Sequence, residues 1–204
     1  MARPLLYTVG LVPAVWTFYQ GMTDQLGADP INVLERSLGE WSLRFLLLGL
    51  AITPLRQLIG LNLTRYRRAI GLLAFFYACF HLTVYMVLDQ GLDWWAIWQD
   101  IIKRPYITVG MATFIILLPL AVTSNNRMVM RLGAAAWQRL HKLVYLAVVG
   151  GCVHFIMLVK AWPPEPLIYA AIALVLLAYR VFAGFSLRPD AAASARRARR
   201  RTAT

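Results

Sequence analysis

Residues 136–159 read AWQRLHKLVYLAVVGGCVHFIMLV, an almost wholly apolar run that nonetheless carries two histidines, His141 and His154. A hydrocarbon layer about 30 Å thick is crossed by about 20 mostly apolar helical residues, and the part from His141 to Val159 has that character. Working outward, the same ruler finds five more spans, at roughly Leu5 to Gln20, Trp41 to Gly60, Ala69 to Leu88, Tyr106 to Thr123 and Pro166 to Phe185. The first is short and contains Pro13, but it lacks a small-residue cleavage motif and is read as a retained span. Of the 204 residues 60% are hydrophobic and 15% charged, with mean hydropathy +0.60, a charged share well below that of a soluble domain. The expected fold is all-α, a polytopic membrane helical bundle of about six transmembrane helices.

Charge orients the bundle, because loops that stay in the cytoplasm keep an excess of Lys and Arg. With the N-terminus inside, Arg3, Arg56, Arg65, Arg67, Arg68, Arg127, Arg131, Arg139 and Lys142 fall on inner segments. So does RPDAAASARRARRRTAT, 188–204, with six arginines. Eight of the nine acids fall outside (Asp24, Asp29, Glu35, Glu40, Asp89, Asp93, Asp100 and Glu165), leaving only Asp190 inside. Both termini are therefore expected in the cytoplasm. The chain divides into a membrane domain, 1–187, and a disordered basic cytoplasmic tail, 188–204, lying near anionic lipid headgroups. The net charge of +12 is a topology signal, and no nucleic-acid partner is expected.

Two outer loops, 21–40 and 89–105, are too long for simple turns. DPINVLERSLGEW and DWWAIWQDIIKRP mix apolar and charged residues at helical spacing, so an amphipathic surface helix is expected in each. Trp94, Trp95 and Trp98 suit interfacial anchoring in the second. Cys79 and Cys152 lie inside spans and read as small buried hydrophobes. With no C-x-x-C-H run, covalent c-type haem attachment is excluded.

The chain holds three histidines, His81, His141 and His154, and all three fall in spans, where an ionisable group is costly and usually functional. Zinc would call for further Cys or carboxylate ligands, and the spans offer no acid beside these histidines. Haem brings four nitrogens of its own and asks the protein only for axial ligands. The third and fifth spans run in the same direction, with His81 and His154 at similar depth in the outer half, placed to take one haem iron from opposite sides. His141 precedes His154 by 13 residues, which sets it about 20 Å nearer the cytoplasm and about 140° round an ideal helix. Gly150 and Gly151 between them mark the expected site of a kink. A second, inner haem at His141 would find no histidine partner on the third span. Counting back one helical stripe from His81 reaches Arg67 or Arg68 instead, as propionate contacts or an unusual ligand, with positive-inside charge the alternative reading of both.

The segments RRAIGLLAFFYACFHLTVY, KRPYITVGM, LPLAVTSNN and RLGAAAWQRLHKLVYLAVVGGCVHF resemble the MsrQ (YedZ) family. These are haem-binding membrane subunits of the bacterial protein-methionine-sulfoxide reductase system, within the wider ferric-reductase-like transmembrane group. The resemblance covers about residues 5–185. It implies b-type haem, one or two, an associated FMN, and a multi-pass place in the bacterial inner (cytoplasmic) membrane. It further implies electrons drawn from the quinone pool or a cytosolic flavin reductase. They would be delivered to a periplasmic molybdopterin-containing methionine-sulfoxide reductase that repairs oxidised envelope proteins. The family's haem-iron ligands carry over onto His81, His141 and His154. The wider group's fourth histidine is replaced here by Arg67 or Arg68.

No G-x-G-x-x-G or P-loop pattern occurs, so no dinucleotide domain is built in. The chain reads as an electron-transfer subunit and not the sulfoxide-reducing one. Tyr77, Trp137 and Tyr145 read as packing or belt aromatics. Two other readings stay open from the residues alone: a stand-alone transmembrane ferric or quinone reductase, and a proton-coupled multi-pass transporter, which would want acids near mid-membrane.

Overall fold

The computed structural model describes residues 2–159 and 163–186. The basic tail expected over 188–204 lies outside them. The elements run α1 (Ala2–Met22), α2 (Pro30–Leu58), α3 (Arg67–Val84), α4 (Trp94–Lys103), α5 (Pro105–Val122), α6 (Asn126–Leu132), α7 (Ala134–His141), α8 (Leu143–Leu158) and α9 (Pro164–Ser186). No strand occurs among the described residues. Five stretches are long and apolar enough to cross a membrane: Pro30–Leu58, Thr64–Asp89, Pro105–Val122, Ala134–Leu158 and Pro164–Phe182. The first expected span forms as α1, of spanning length at 21 residues. It is not among those five.

Helix α1 nevertheless belongs to the bundle. The Tyr77 side chain of α3 is fully buried; its hydroxyl donates to the Gly10 carbonyl at 2.7 Å and accepts from the Ala14 amide at 3.0 Å. Gly10 O and Ala14 N are the two groups an α-helix bonds to each other, so the phenol bridges one rung of the α1 ladder.

One expected surface helix is corrected. Residues 30–40 are the first three turns of α2, which continues unbroken for 29 residues, about 44 Å of helix. Asp29 caps it, accepting from Asn32 N, with Pro30 at the first position. Leu34 and Leu38 carry the buried stripe straight into Leu43 and Leu46. Nothing between Ile31 and Trp41 stops the helix, so it extends instead of lying flat. Arg36 in these turns ties α2 to α9 through its ion pair with Glu165 at 2.5 Å, and further along α2 the Arg44 Nε donates to the Tyr169 hydroxyl of α9 at 2.7 Å.

The other surface helix is α4. Asp93 caps it, accepting from Trp95 N and Ala96 N at 3.0 Å. Ile97 points inward while Trp94, Trp95 and Trp98 are exposed.

The fifth span is also corrected. It begins at Ala134 and breaks at Lys142, where α7 gives way to α8. Helix α8 passes through Gly150 and Gly151 without interruption. These glycines serve close approach. A Cβ at Gly150 would stand 2.2 Å from Thr113 Oγ1 of α5, and one at Gly151 would touch Leu43 of α2. Small residues at such points let membrane helices pack closely.

Candidate functional site

His81 near the end of α3 and His154 near the end of α8 come together, with ring centres 6.1 Å apart and planes at 78°. Each ring is held from behind. His81 Nδ1 lies 2.9 Å from the Glu35 carbonyl of α2, and His154 Nδ1 lies 2.7 Å from the Tyr106 carbonyl of α5. A carbonyl only accepts, so both Nδ1 atoms carry the proton and both Nε2 atoms keep a lone pair. This arrangement fixes tautomer and ring orientation in metal-ligating histidines.

The spacing tests whether the pair fits one iron. Imidazole nitrogens bond metal ions at about 2.0–2.1 Å, and a ring of bonds near 1.33 Å has its centre about 1.1 Å behind the ligating atom. Two imidazoles on opposite sides of one ion thus have centres about 6.2–6.4 Å apart, close to the 6.1 Å observed. Among the described residues no group of three or more His, Cys, Asp or Glu side chains is arranged to hold a metal ion unaided. An ion that brings its own equatorial ligands, as in haem, fits two imidazoles.

Space for the rings comes from glycine. A Cβ at Gly110 would lie 2.9 Å from His154 Cε1 and Nδ1, and one at Gly39 would lie 3.2 Å from His81 Nδ1. Arg104, at the join of α4 and α5, steadies Tyr106 by donating to its hydroxyl at 3.2 Å. That bond, with the Asp100 carboxylate 3.1 Å from Arg104 Nε, holds the guanidinium above its already high pKa. Sequence reasoning missed Gly39, Gly110 and the two carbonyls. Isolated glycines in helical runs were the available signal, while a backbone acceptor leaves none. It also expected no acid beside the histidines, and this is overturned at Glu35, whose Oε1 is 3.9 Å from His81 Nε2. The extension of α2 back to Pro30 brings it there.

His141 stands apart from this pair, beside the arginines. It stacks on Trp137 with ring centres 3.9 Å apart. Thr123 Oγ1 donates to the Pro119 carbonyl at 2.6 Å and lies 3.0 Å from His141 Nε2, so the imidazole donates there. Trp137 Nε1 donates to the Thr123 carbonyl at 2.8 Å, and the Arg68 guanidinium lies over its ring at 5.3 Å. Arg67 donates to Thr53 Oγ1 at 2.7 Å, and Arg68 to Asn126 Oδ1 at 2.5 Å. His141, Arg67 and Arg68 all line one cavity of about 300 Å³. Tyr145 lines it too, while Tyr77 is committed to α1.

Spanning helices that bring two histidines together define a polytopic helical membrane protein with a candidate metal-holding pair. Residues 38–152 match the family described as ferric reductase like transmembrane component, a stretch that includes His81 and His141 and ends two residues before His154. The protein-methionine-sulfoxide reductase heme-binding subunit MsrQ of Brucella ovis is 60% identical over 177 residues, covering 87% of this chain and 80% of that protein. The like-named proteins of Brucella canis and Brucella abortus match to the same extent. The chain belongs to the MsrQ family.

Proposed function

We propose that the chain is the haem-binding, electron-transferring membrane subunit of a protein-methionine-sulfoxide reductase system, and not the subunit that reduces the sulfoxide. The observation that carries this is the His81 and His154 pair, with ring centres 6.1 Å apart and both Nδ1 atoms tied to carbonyls. Bound haem supplies a one-electron iron couple within a low-dielectric bundle. The chain's own residues do the rest. His81 and His154 would hold the haem iron through their Nε2 lone pairs, and the Glu35 and Tyr106 carbonyls raise the basicity of the rings. Gly39 and Gly110 let the rings sit against their helices.

His141 would hold a second haem in the arginine-lined cavity, where Arg67 or Arg68 would supply positive charge to its propionates or an unusual ligand to its iron. Family membership supports the remaining assignments. These are an associated FMN, electrons from quinol or a cytosolic flavin reductase, and delivery to a periplasmic molybdopterin-containing methionine-sulfoxide reductase. Arginine placement supports both termini in the cytoplasm and residence in the bacterial inner membrane.

Haem quantitation beside His81→Ala, His141→Ala and His154→Ala tests the reading. Losing either His81 or His154 is expected to abolish the same spectral species, while His141→Ala leaves it. A full haem complement in both the His81→Ala and His154→Ala proteins would overturn the pairing.

A further inference from the structure

The arginine-lined cavity has an electrostatic imbalance that His141 alone does not explain. Its volume, about 300 Å³, is at the small end of ligand sites. Four basic side chains line it, Arg67, Arg68, Lys142 and Arg180, and no Asp or Glu does. None of the four forms an ion pair among the described residues.

Arg180 is the most telling of these. It lies on α9 two residues from the end of the candidate span Pro164–Phe182, half-buried among its neighbours. Its Nη1 donates to the Tyr145 hydroxyl at 2.8 Å and its Nη2 to the Leu50 carbonyl at 3.1 Å. Both partners are neutral. Its Nε is buried with no partner, a condition that buried polar atoms of native proteins seldom show. Arginine has five N–H donors in a rigid fork, and these two bonds use two of them. Three N–H groups, the one on Nε among them, are left for an acidic acceptor such as a carboxylate or phosphate. Around it stand Trp137, Tyr145, Phe75 and the His141 imidazole, surfaces suited to a flat ring system.

We propose that Arg180 pairs the acidic group of a flat cofactor seated in this cavity. Carboxylate and phosphate share this recognition chemistry, so the group is a haem propionate or the phosphate of FMN. The inference rests on the reading of the chain as a cofactor-bearing electron carrier, and it adds a residue that the histidine pattern does not point to.

The test compares cofactors with their uncharged analogues. Full-length protein from haem-limited cells is titrated with haem b and with its dimethyl ester, following the absorbance component that disappears in His141→Ala. It is titrated separately with FMN and with riboflavin, following flavin fluorescence. In one of the two pairs the acid-bearing member is expected to bind about tenfold or more tightly, and Arg180→Gln removes that preference. Preference within the haem pair identifies propionate, and within the flavin pair phosphate. Arg56→Gln, which removes a charge outside the cavity, leaves the preference unchanged. No preference in either pair, or one that survives Arg180→Gln, overturns the proposal. If Arg180→Gln does not assemble, Arg180→Lys decides, since it keeps the charge but lacks the fork. A preference cut severalfold supports the proposal, and an unchanged one overturns it. Failure of the electron-carrier reading shows itself elsewhere, as loss of no spectral species in His81→Ala and His154→Ala, so the two failures are told apart.

Discussion

Gly110 of α5 backs directly onto His154 of α8, so closely that a methyl group on it would stand 2.9 Å from the imidazole's Cε1 and Nδ1. The ring cannot retreat, because its Nδ1 is tied to the Tyr106 carbonyl one turn earlier on the same helix. Gly110→Ala is therefore expected to push the His154 ring out of its place opposite His81. Overpacking of this kind costs about 1–3 kcal/mol, so haem retention on purification should fall about tenfold or more. Gly39→Ala, with its looser 3.2 Å contact to His81, should be milder. Haem-to-protein ratios of the two variants check the order.

Tyr77→Phe removes the hydroxyl that bridges Gly10 O and Ala14 N. Gly10 O and Ala14 N, an i to i+4 pair, can then bond each other, so what is lost is the side-chain link between α1 and α3, at about 0.5–1.5 kcal/mol. Thermal unfolding in detergent should show a lowered midpoint with an unchanged haem spectrum, because Tyr77 serves the α1 contact and not the histidine pair.

Gly150→Ala places a methyl group 2.2 Å from Thr113 Oγ1 and is expected to force α5 and α8 apart, lowering both stability and haem content. Thr113→Ala alone should be nearly neutral, since its hydroxyl bonds only the Val109 carbonyl of its own helix. The double variant should recover most of the loss. A double-mutant cycle on unfolding free energies measures the coupling, which is expected to be favourable and of order 1 kcal/mol or more.

Trp94, Trp95 and Trp98 are 65%, 69% and 57% exposed on the first half of α4. A membrane surface is the medium that suits three such rings. In vesicles, brominated lipid should quench a clear part of the tryptophan fluorescence, and replacing all three with Ser should remove that part. Quenching that is insensitive to the replacement would place α4 away from lipid.

The spans and the histidine pair were legible because hydropathy and residue rarity are properties of the sequence itself. His81 and His154 could be matched in depth by counting along two co-directional helices. What counting could not reach was what depends on neighbours. Residues 30–40 looked like a surface helix because Glu35, Arg36 and Glu40 interrupt the apolar run, yet Leu34 and Leu38 continue a buried stripe that only packing against α3 reveals. Gly150 and Gly151 suggested a kink, whereas the helix breaks at Lys142 and the glycines answer to Thr113 and Leu43 across the interface. Arg180 was overlooked because it sits near the end of a span, where an arginine looks like ordinary membrane-edge charge. Only its tertiary partners mark it out.

The electron-paramagnetic resonance spectrum of the ferric protein tests the His81 and His154 assignment most directly, because it responds to the relative orientation of axial imidazole planes. Rings at 78° should give a strongly anisotropic low-spin signal, absent from both His81→Ala and His154→Ala and retained in His141→Ala. A low-spin signal that survives in both of the first two variants would contradict ligation of one iron by this pair.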